Sequence, residues 1–220
     1  MAEARPQVFL AYRNAKKLAE MQRILEPVVP HIEVLGLDDV EEYDEPAETE
    51  PTFEGNALIK ARAGLAATGL PSLADDSGLC VDALNGMPGV LSARWSGLVK
   101  GDGVAVDLAN NELLLAQLAD VPDARRCARF RCAVAFVHRD PAGEVVERVT
   151  HGEMPGRVIR EMRGSGGFGY DVLFVPDGHE ATSAELPAGE KDAISHRGQA
   201  LRGIAPQVAD ALGEPFVGGP

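Results

Sequence analysis

From residue 128 to residue 138 the apolar side chains Ala128, Phe130, Cys132, Val134 and Phe136 fall on every second position. A period of two is the repeat of a β-strand, whereas a helical face needs 3.6. Residues 144–153 follow within hairpin distance and read as the partner strand. The first 84 residues are organised differently. Single strands at 7–12 and 31–36 alternate with helices over about 15–26 and 52–68. Asn14 and Thr52 are the expected N-caps, and Pro27, Pro30, Gly69 and Pro71 are the stop signals. A short strand begins at residue 72 and is expected to end at Asp75-Asp76-Ser77-Gly78. Further on come a helix over 104–118, a strand over 170–175 and a last helix over 195–212. Hairpin-linked and helix-linked strands in one chain predict an α/β fold with a mixed sheet. With no repeat and no long linker, residues 1–220 read as one domain.

Charge narrows the partners. The chain holds 21 Lys and Arg against 34 Asp and Glu, a formal net charge of −13. That surplus argues against nucleic acid polymers and anionic membrane faces, both of which need a basic surface. No apolar run approaches the roughly 18 residues of a membrane span. The opening Met-Ala-Glu-Ala-Arg-Pro lacks a basic region followed by an apolar stretch, so a cytoplasmic protein is expected. Cys80, Cys127 and Cys132 show no metal-type spacing and are expected to be buried, reduced thiols.

The charges are also unevenly placed. Eight of the 34 acids lie between Asp38 and Glu50, with no Lys or Arg among them. Most of this run reads as solvated loop. Its tail differs, because Glu48 and Glu50 directly precede the helix opened by Thr52 and could lean into a metal site beside Asp76. Asp75 and Asp76 are adjacent on a strand, so they point to opposite faces and one of them serves a given cleft. A carboxylate there can ligate Mg²⁺ or take a proton from water; the bland alternative is a turn, since Asp-Ser-Gly is ordinary turn chemistry. Only five of the basic residues are lysines. Lys17 follows Asn14 at the start of a helix, a favourable position for phosphate. Lys60 lies on the next helix, and Lys191 and His196-Arg197 come late. Carboxylates with scattered cations are the equipment of phosphoryl chemistry.

Gly164-Ser-Gly166-Gly-Phe168-Gly169 matches the dinucleotide fingerprint letter for letter, but it leads into a strand and not a helix, so the Rossmann reading fails. It reads as a flexible turn, or as a wall in which Phe168 faces a planar ring and the glycines permit close approach. His31, His138, His151 and His179 show no catalytic spacing.

Six segments taken together resemble one family. They are Asn14-x-x-Lys17, Thr52-Phe-Glu-Gly-Asn56-Ala-Leu-Ile-Lys60-Ala, Ala74-Asp-Asp-Ser-Gly78-Leu, Ser92-Ala-Arg94-Trp-Ser-Gly97, Gly166-Gly-Phe-Gly-Tyr-Asp171 and Lys191-x-x-x-Ser195-His-Arg-Gly-Gln-Ala200. In this order, over residues 8–204, they are similar to the Ham1-like inosine/xanthosine triphosphate pyrophosphatases. The resemblance implies an elongated, curved mixed sheet flanked by helices, two lobes with an active-site cleft between them, and a homodimer. It implies Mg²⁺-dependent hydrolysis of ITP, dITP and XTP to monophosphate and pyrophosphate. Matched by motif, Asp76 is the catalytic carboxylate and shares the metal with Glu48. Tyr12, Arg13, Asn14 and Lys17 belong to the phosphate segment, and Lys60 is a further phosphate contact. Ser77 is a substrate contact, Phe168, Gly169, Tyr170 and Asp171 form the base-binding stretch, and Lys191, His196 and Arg197 complete the nucleotide contacts.

One departure stands out. Tyr12 and Arg13 occupy positions where the family has Thr or Ser followed by Gly. The small hydroxyl and the close glycine backbone are therefore not carried over; Arg13 could add a phosphate contact or point into solvent. Purine specificity is expected from donors facing the oxygen at position 6, supplied by Arg197, His196 or amides near Asp171. Two alternatives remain open: a related pyrophosphatase for other modified nucleotides, and a nucleotide-binding protein without turnover.

Overall fold

The computed structural model describes residues 5–12, 15–27, 29–30, 32–98 and 103–213, with the backbone alone for residues 15–17. Arg13, Asn14 and His31 lie outside the described residues, as does the side chain of Lys17. The strands are β1 (Gln7–Leu10), β2 (Glu33–Leu35), β3 (Ser72–Val81), β4 (Met87–Pro88), β5 (Cys127–Arg139), β6 (Val145–Val158) and β7 (Phe174–Pro176). The α-helices are α1 (Ala15–Leu25), α2 (Phe53–Thr68), α3 (Gly103–Gln117), α4 (Ala188–Ile194) and α5 (His196–Leu212). One mixed sheet runs β2-β1-β3-β5-β6-β7, with β4 paired to β3. β1 is parallel to β2 and β3, while β3–β4 and β6–β7 are antiparallel.

The chain gathers into two compact units. Unit 1 comprises residues 1–76, 132–152 and 197–220, and unit 2 comprises 77–131 and 153–196. β3, β5 and β6 each pass from one unit into the other along their length.

Unit 1 explains why β5 is buried without a break from Cys132 to Val137. Its even positions, Cys132, Val134 and Phe136, join Leu10 and Leu73 in a cluster with Met21 and Leu25 of α1 and Leu201, Ile204 and Val208 of α5. Its odd positions, Ala133, Ala135 and Val137, meet Ala57, Ala61 and Leu65 of α2. A strand covered by helices on both faces loses its polar alternation. The alanines on the α2 side let helix and sheet approach closely, and Gly64 completes the fit: a Cβ there would strike the Ser72 hydroxyl and come within 2.9 Å of the Phe9 ring. α2 is bounded as its sequence predicts. The Thr52 hydroxyl accepts the Gly55 N–H at 3.1 Å, and Gly69 closes the helix with φ 71°.

In unit 2, Leu79, Val81, Leu114, Leu118, Phe130, Met154, Leu173 and Phe174 form a separate core. Arg126 is buried beside it and donates to the carbonyls of Leu118, Val121 and Ile159. Carbonyls that α3 leaves open at its C-terminal end thereby gain a donor.

Four expectations change. Asp75-Asp76-Ser77-Gly78 is no turn: β3 runs straight through it, held there by neighbours on both sides of the strand. The strand expected over 170–175 begins only at Phe174, because Gly169–Val172 winds into a 3-10 turn closed by Asp171. α4 was not anticipated; seven residues after Pro187 carry too little periodicity to announce a helix. Of the three thiols only Cys132 is buried; Cys80 is half-buried and Cys127 exposed.

Candidate active site

Two clusters gather most of the singled-out residues, one in each unit. In unit 1 the pleat of β3 sends Asp75 and Asp76 to opposite faces. Asp76 is 7% exposed. Opposite it, α2 presents Asn56 and Lys60, four residues apart and hence on one helix face. Asn56 is wholly buried: its Nδ2 donates to Asp76 Oδ2 at 3.0 Å, and its Oδ1 accepts the Glu50 N–H at 2.9 Å. One amide thus ties the tail of the acidic loop to the strand carboxylate. Lys60 Nζ donates to Glu48 Oε1 at 2.7 Å and lies 3.8 Å from Asp76 Oδ1. Of the remaining acids of the run, Asp38 and Asp39 lie in a 3-10 turn over Leu37–Asp39 and those from Glu41 to Glu45 in an irregular, mostly exposed loop.

The electrostatics follow from that geometry. Burial pushes the Asp76 carboxyl above its ordinary value and the Glu48 charge adds to this, while Lys60 and Asn56 pull it back in part. For Lys60, burial disfavours the ammonium, yet Asp76, Asp75 and Glu48 outweigh it and raise its pKa. Two carboxylates converge on one positive charge, which leaves the group negative as a whole. Glu48 and Asp76 are the carboxylates that could hold a divalent cation there. Among the described residues no three Asp, Glu, His or Cys side chains form a complete metal cage. Mg²⁺ does not require one, since it keeps waters and takes one or two carboxylates plus phosphate oxygens.

Asp75 turns the other way, into a buried network of its own. Its carboxylate receives Arg197 Nε at 3.2 Å and Cys132 Sγ at 3.6 Å, and the Tyr12 hydroxyl lies against it. Arg197 Nη1 reaches Glu20 Oε2 at 3.0 Å. Two of the expected substrate contacts, Tyr12 and Arg197, are therefore turned inward. Arg197 is 3% exposed and acts as counter-ion to two carboxylates. Its neighbour His196 goes to the core of unit 2, where its ring stacks on Phe130 with centroids 4.9 Å apart. Ser77 follows Asp76 on β3 and is half-buried.

The second cluster, in unit 2, is built on the glycine stretch. Gly167 adopts φ 69°, and a Cβ there would collide with the Asp171 carboxylate and reach 3.0 Å from Lys191 Nζ. The turn that follows folds Asp171 back, so its Oδ2 accepts the Phe168 N–H at 3.0 Å and Lys191 Nζ at 2.6 Å. Lys191 also sits 5.5 Å from the centroid of the Phe168 ring. α3 grips the same turn: Asp107 accepts the Gly169 N–H at 2.7 Å, and Asn111 donates to the Gly169 carbonyl at 2.9 Å. The Tyr170 hydroxyl donates to the Ser92 carbonyl at 3.0 Å, and burial pushes this phenol above its ordinary value. Phe168, Gly169, Tyr170, Asp171 and Lys191 are thus brought together.

Sequence reasoning missed three supports, Asn56, Asp107 and Asn111. Their burial is what marks Asn56 and Asn111, and the sequence alone does not report it; Asp107 carries no such mark.

A known family shares this arrangement of segments. Residues 8–207 match the model of the Ham1 family. A dITP/XTP pyrophosphatase of Nocardia farcinica is 61% identical over 203 residues, covering 92% of this chain and 94% of the relative. One from Frankia alni is 58% identical, covering 93% and 98%. Among solved structures, a nucleoside-triphosphatase / dITP/XTP pyrophosphatase from Mycobacterium abscessus aligns with a TM-score of 0.70 at 55% identity, over 91% of this chain and 99% of that one. A HAM1 protein from Coxiella burnetii aligns at 0.77 with 39% identity, over 93% and 99%. With its fold, its segment order and this breadth of similarity, the chain belongs to the Ham1 family.

Proposed function

We propose that this protein is a nucleoside triphosphate pyrophosphatase that hydrolyses deaminated purine nucleotides, dITP, ITP and XTP, to the monophosphate and pyrophosphate. The observation that carries the reading is the pairing of Glu48 and Asp76 around the Lys60 ammonium, a negative group partly neutralised and partly buried. The names of the relatives, dITP/XTP pyrophosphatases, support the substrate class. On this reading Glu48 and Asp76 hold Mg²⁺. Bound there, the ion would neutralise triphosphate charge and acidify a water.

The protein's own groups do the rest. Asp76 accepts the proton of the water that attacks the α-phosphorus. Asn56 fixes one carboxylate oxygen so that the other faces the reaction. Lys60 and Lys17 steady the leaving pyrophosphate, whose developing charge calls for fixed cations. For the base, the Phe168 ring offers a stacking face, and Lys191, held by Asp171, supplies a donor to an oxygen at purine position 6. Adenine carries a donor there and leaves the ammonium without an acceptor. No helix among the described residues is long and apolar enough to cross a membrane. A cytoplasmic homodimer is the setting that we attach to this reading.

The test is a panel of dITP, XTP, ITP, GTP, ATP and dUTP with Mg²⁺, scoring pyrophosphate against orthophosphate. Pyrophosphate from dITP and XTP ahead of GTP and ATP is expected. Orthophosphate as the first product would mean attack at the γ-phosphorus and would overturn the proposal.

A further inference from the structure

We infer that Tyr12 is a positioning residue for Asp76, acting through Asp75, and that its hydroxyl is committed to β3 and not to substrate. The inference rests on the proposed function insofar as Asp76 is the reacting carboxylate.

Asp75 and Asp76 are chemically alike, and the pleat guarantees that they face opposite ways. It does not decide which faces which, since a shift of one residue in β3 would exchange them. The surroundings decide. Asp75 is completely buried, and around it the structure places a guanidinium, a thiol and a phenol. The Tyr12 hydroxyl contacts three separate atoms of this one residue. Its single proton goes to the carboxylate, with the carbonyl oxygen also 2.8 Å away, and its oxygen accepts the backbone N–H. A side chain that grips both the backbone and the carboxylate of Asp75 restrains the peptide from which Asp76 departs. Asp76 is then left to face Asn56 and Lys60.

The network has a second anchor. Arg197 joins Asp75 to Glu20, which lies on α1 three residues after Lys17. The Tyr12 hydroxyl and the Arg197 guanidinium thus both hold the residue adjoining Asp76. A hydroxyl so engaged is not spare for a phosphate oxygen.

The test is Tyr12→Phe, which keeps the ring and removes the hydroxyl. With dITP at saturating Mg²⁺, kcat is expected to fall about tenfold or more, because small misplacements of reacting groups are costly. KM should stay within about twofold, the mark of an interaction absent from simple substrate binding. Hydrogen exchange at the Asp75 amide should quicken, a readout independent of nucleotide chemistry. Tyr12→Thr, with a hydroxyl too short to reach Asp75, should reproduce the kcat loss. A raised KM with unchanged kcat would reveal a direct substrate contact and overturn the inference. So would full activity in Tyr12→Phe, or a Thr variant that restores kcat. A wild-type protein that fails to cleave dITP defeats the proposed function instead; the exchange result then judges the positioning by itself. If Tyr12→Phe melts below the assay temperature, the same exchange measurement on Tyr12→Thr decides, and an unchanged rate there overturns the inference.

Discussion

Each unit holds a lysine bonded to an aspartate or glutamate, and the two arrangements differ in their charge balance. In unit 1 Lys60 is shared by Glu48 and Asp76, so two negative charges meet one positive. In unit 2 Lys191 meets Asp171 at 2.6 Å, one charge for one, beside the face of Phe168. The first group lacks a positive charge, and burial has pushed its carboxyl upward. The second is neutral, flat and rigidly backed by α3. A further positive charge suits the unbalanced group, and a planar ring suits the balanced one. The same pair of residue types serves both tasks, and the count of carboxylates around the lysine separates them.

The sharpest way to break that contrast is at Asp76. Asp76→Asn keeps the shape and the hydrogen bond from Asn56, yet removes both the proton acceptor and one of the two charges. Turnover of dITP should fall by about 10³-fold or more. Circular dichroism and the thermal midpoint should stay near wild type. Near-normal turnover would take Asp76 out of the reaction and leave the unit 1 cluster a structural ion pair.

On the unit 2 side the expected loss is in selectivity. Lys191→Met removes the donor and leaves Asp171 with the Phe168 N–H. Discrimination of dITP over dATP, as the ratio of kcat/KM values, should shrink by about a hundredfold. The change should lie mainly in dITP binding. Equal losses on both nucleotides would mean that Lys191 holds the turn and does not read the base.

How much of this was legible follows from the kind of signal involved. The helix over residues 53–68 announced itself through Thr52 and Gly69, local devices that act within a turn. The strand at 127–139 did so through periodicity. Asp75-Asp76-Ser77-Gly78 misled because turn propensity is local, whereas β3 is held by β1, β4 and β5. Glu48 and Lys60 were both singled out, but their bond joins residues 12 apart across a cap and a loop, and no spacing rule reports it. Tyr12 and Arg197 were marked as substrate contacts because a motif gives a residue's place in the chain and not its direction. Here both side chains are bonded to Asp75, a carboxylate that chain position had made look equivalent to Asp76.

The smallest effect belongs to a pair that repeats the unit 1 chemistry in water. On α2, Arg62 makes a two-pronged contact with Glu147 of β6, both bonds at 2.7 Å, only two residues beyond Lys60. Its geometry is as good as that of Lys60 and Glu48, but both partners are substantially exposed. The hydrogen bond from Arg62 holds the Glu147 carboxyl below its ordinary value despite some burial. A carboxyl whose folded pKa is depressed adds stability above its unfolded pKa and loses it as pH falls through the folded value. Exposure limits the gain to less than about 1 kcal/mol. Arg62→Ala should therefore lower the thermal midpoint at pH 7 by about 1–2 °C. The gap should close once acid has protonated Glu147 in both proteins. A gap that persists undiminished in acid would place the effect in the packing of the Arg62 stem instead. A loss several times larger at pH 7 would deny that exposure is what separates this pair from the one at Lys60.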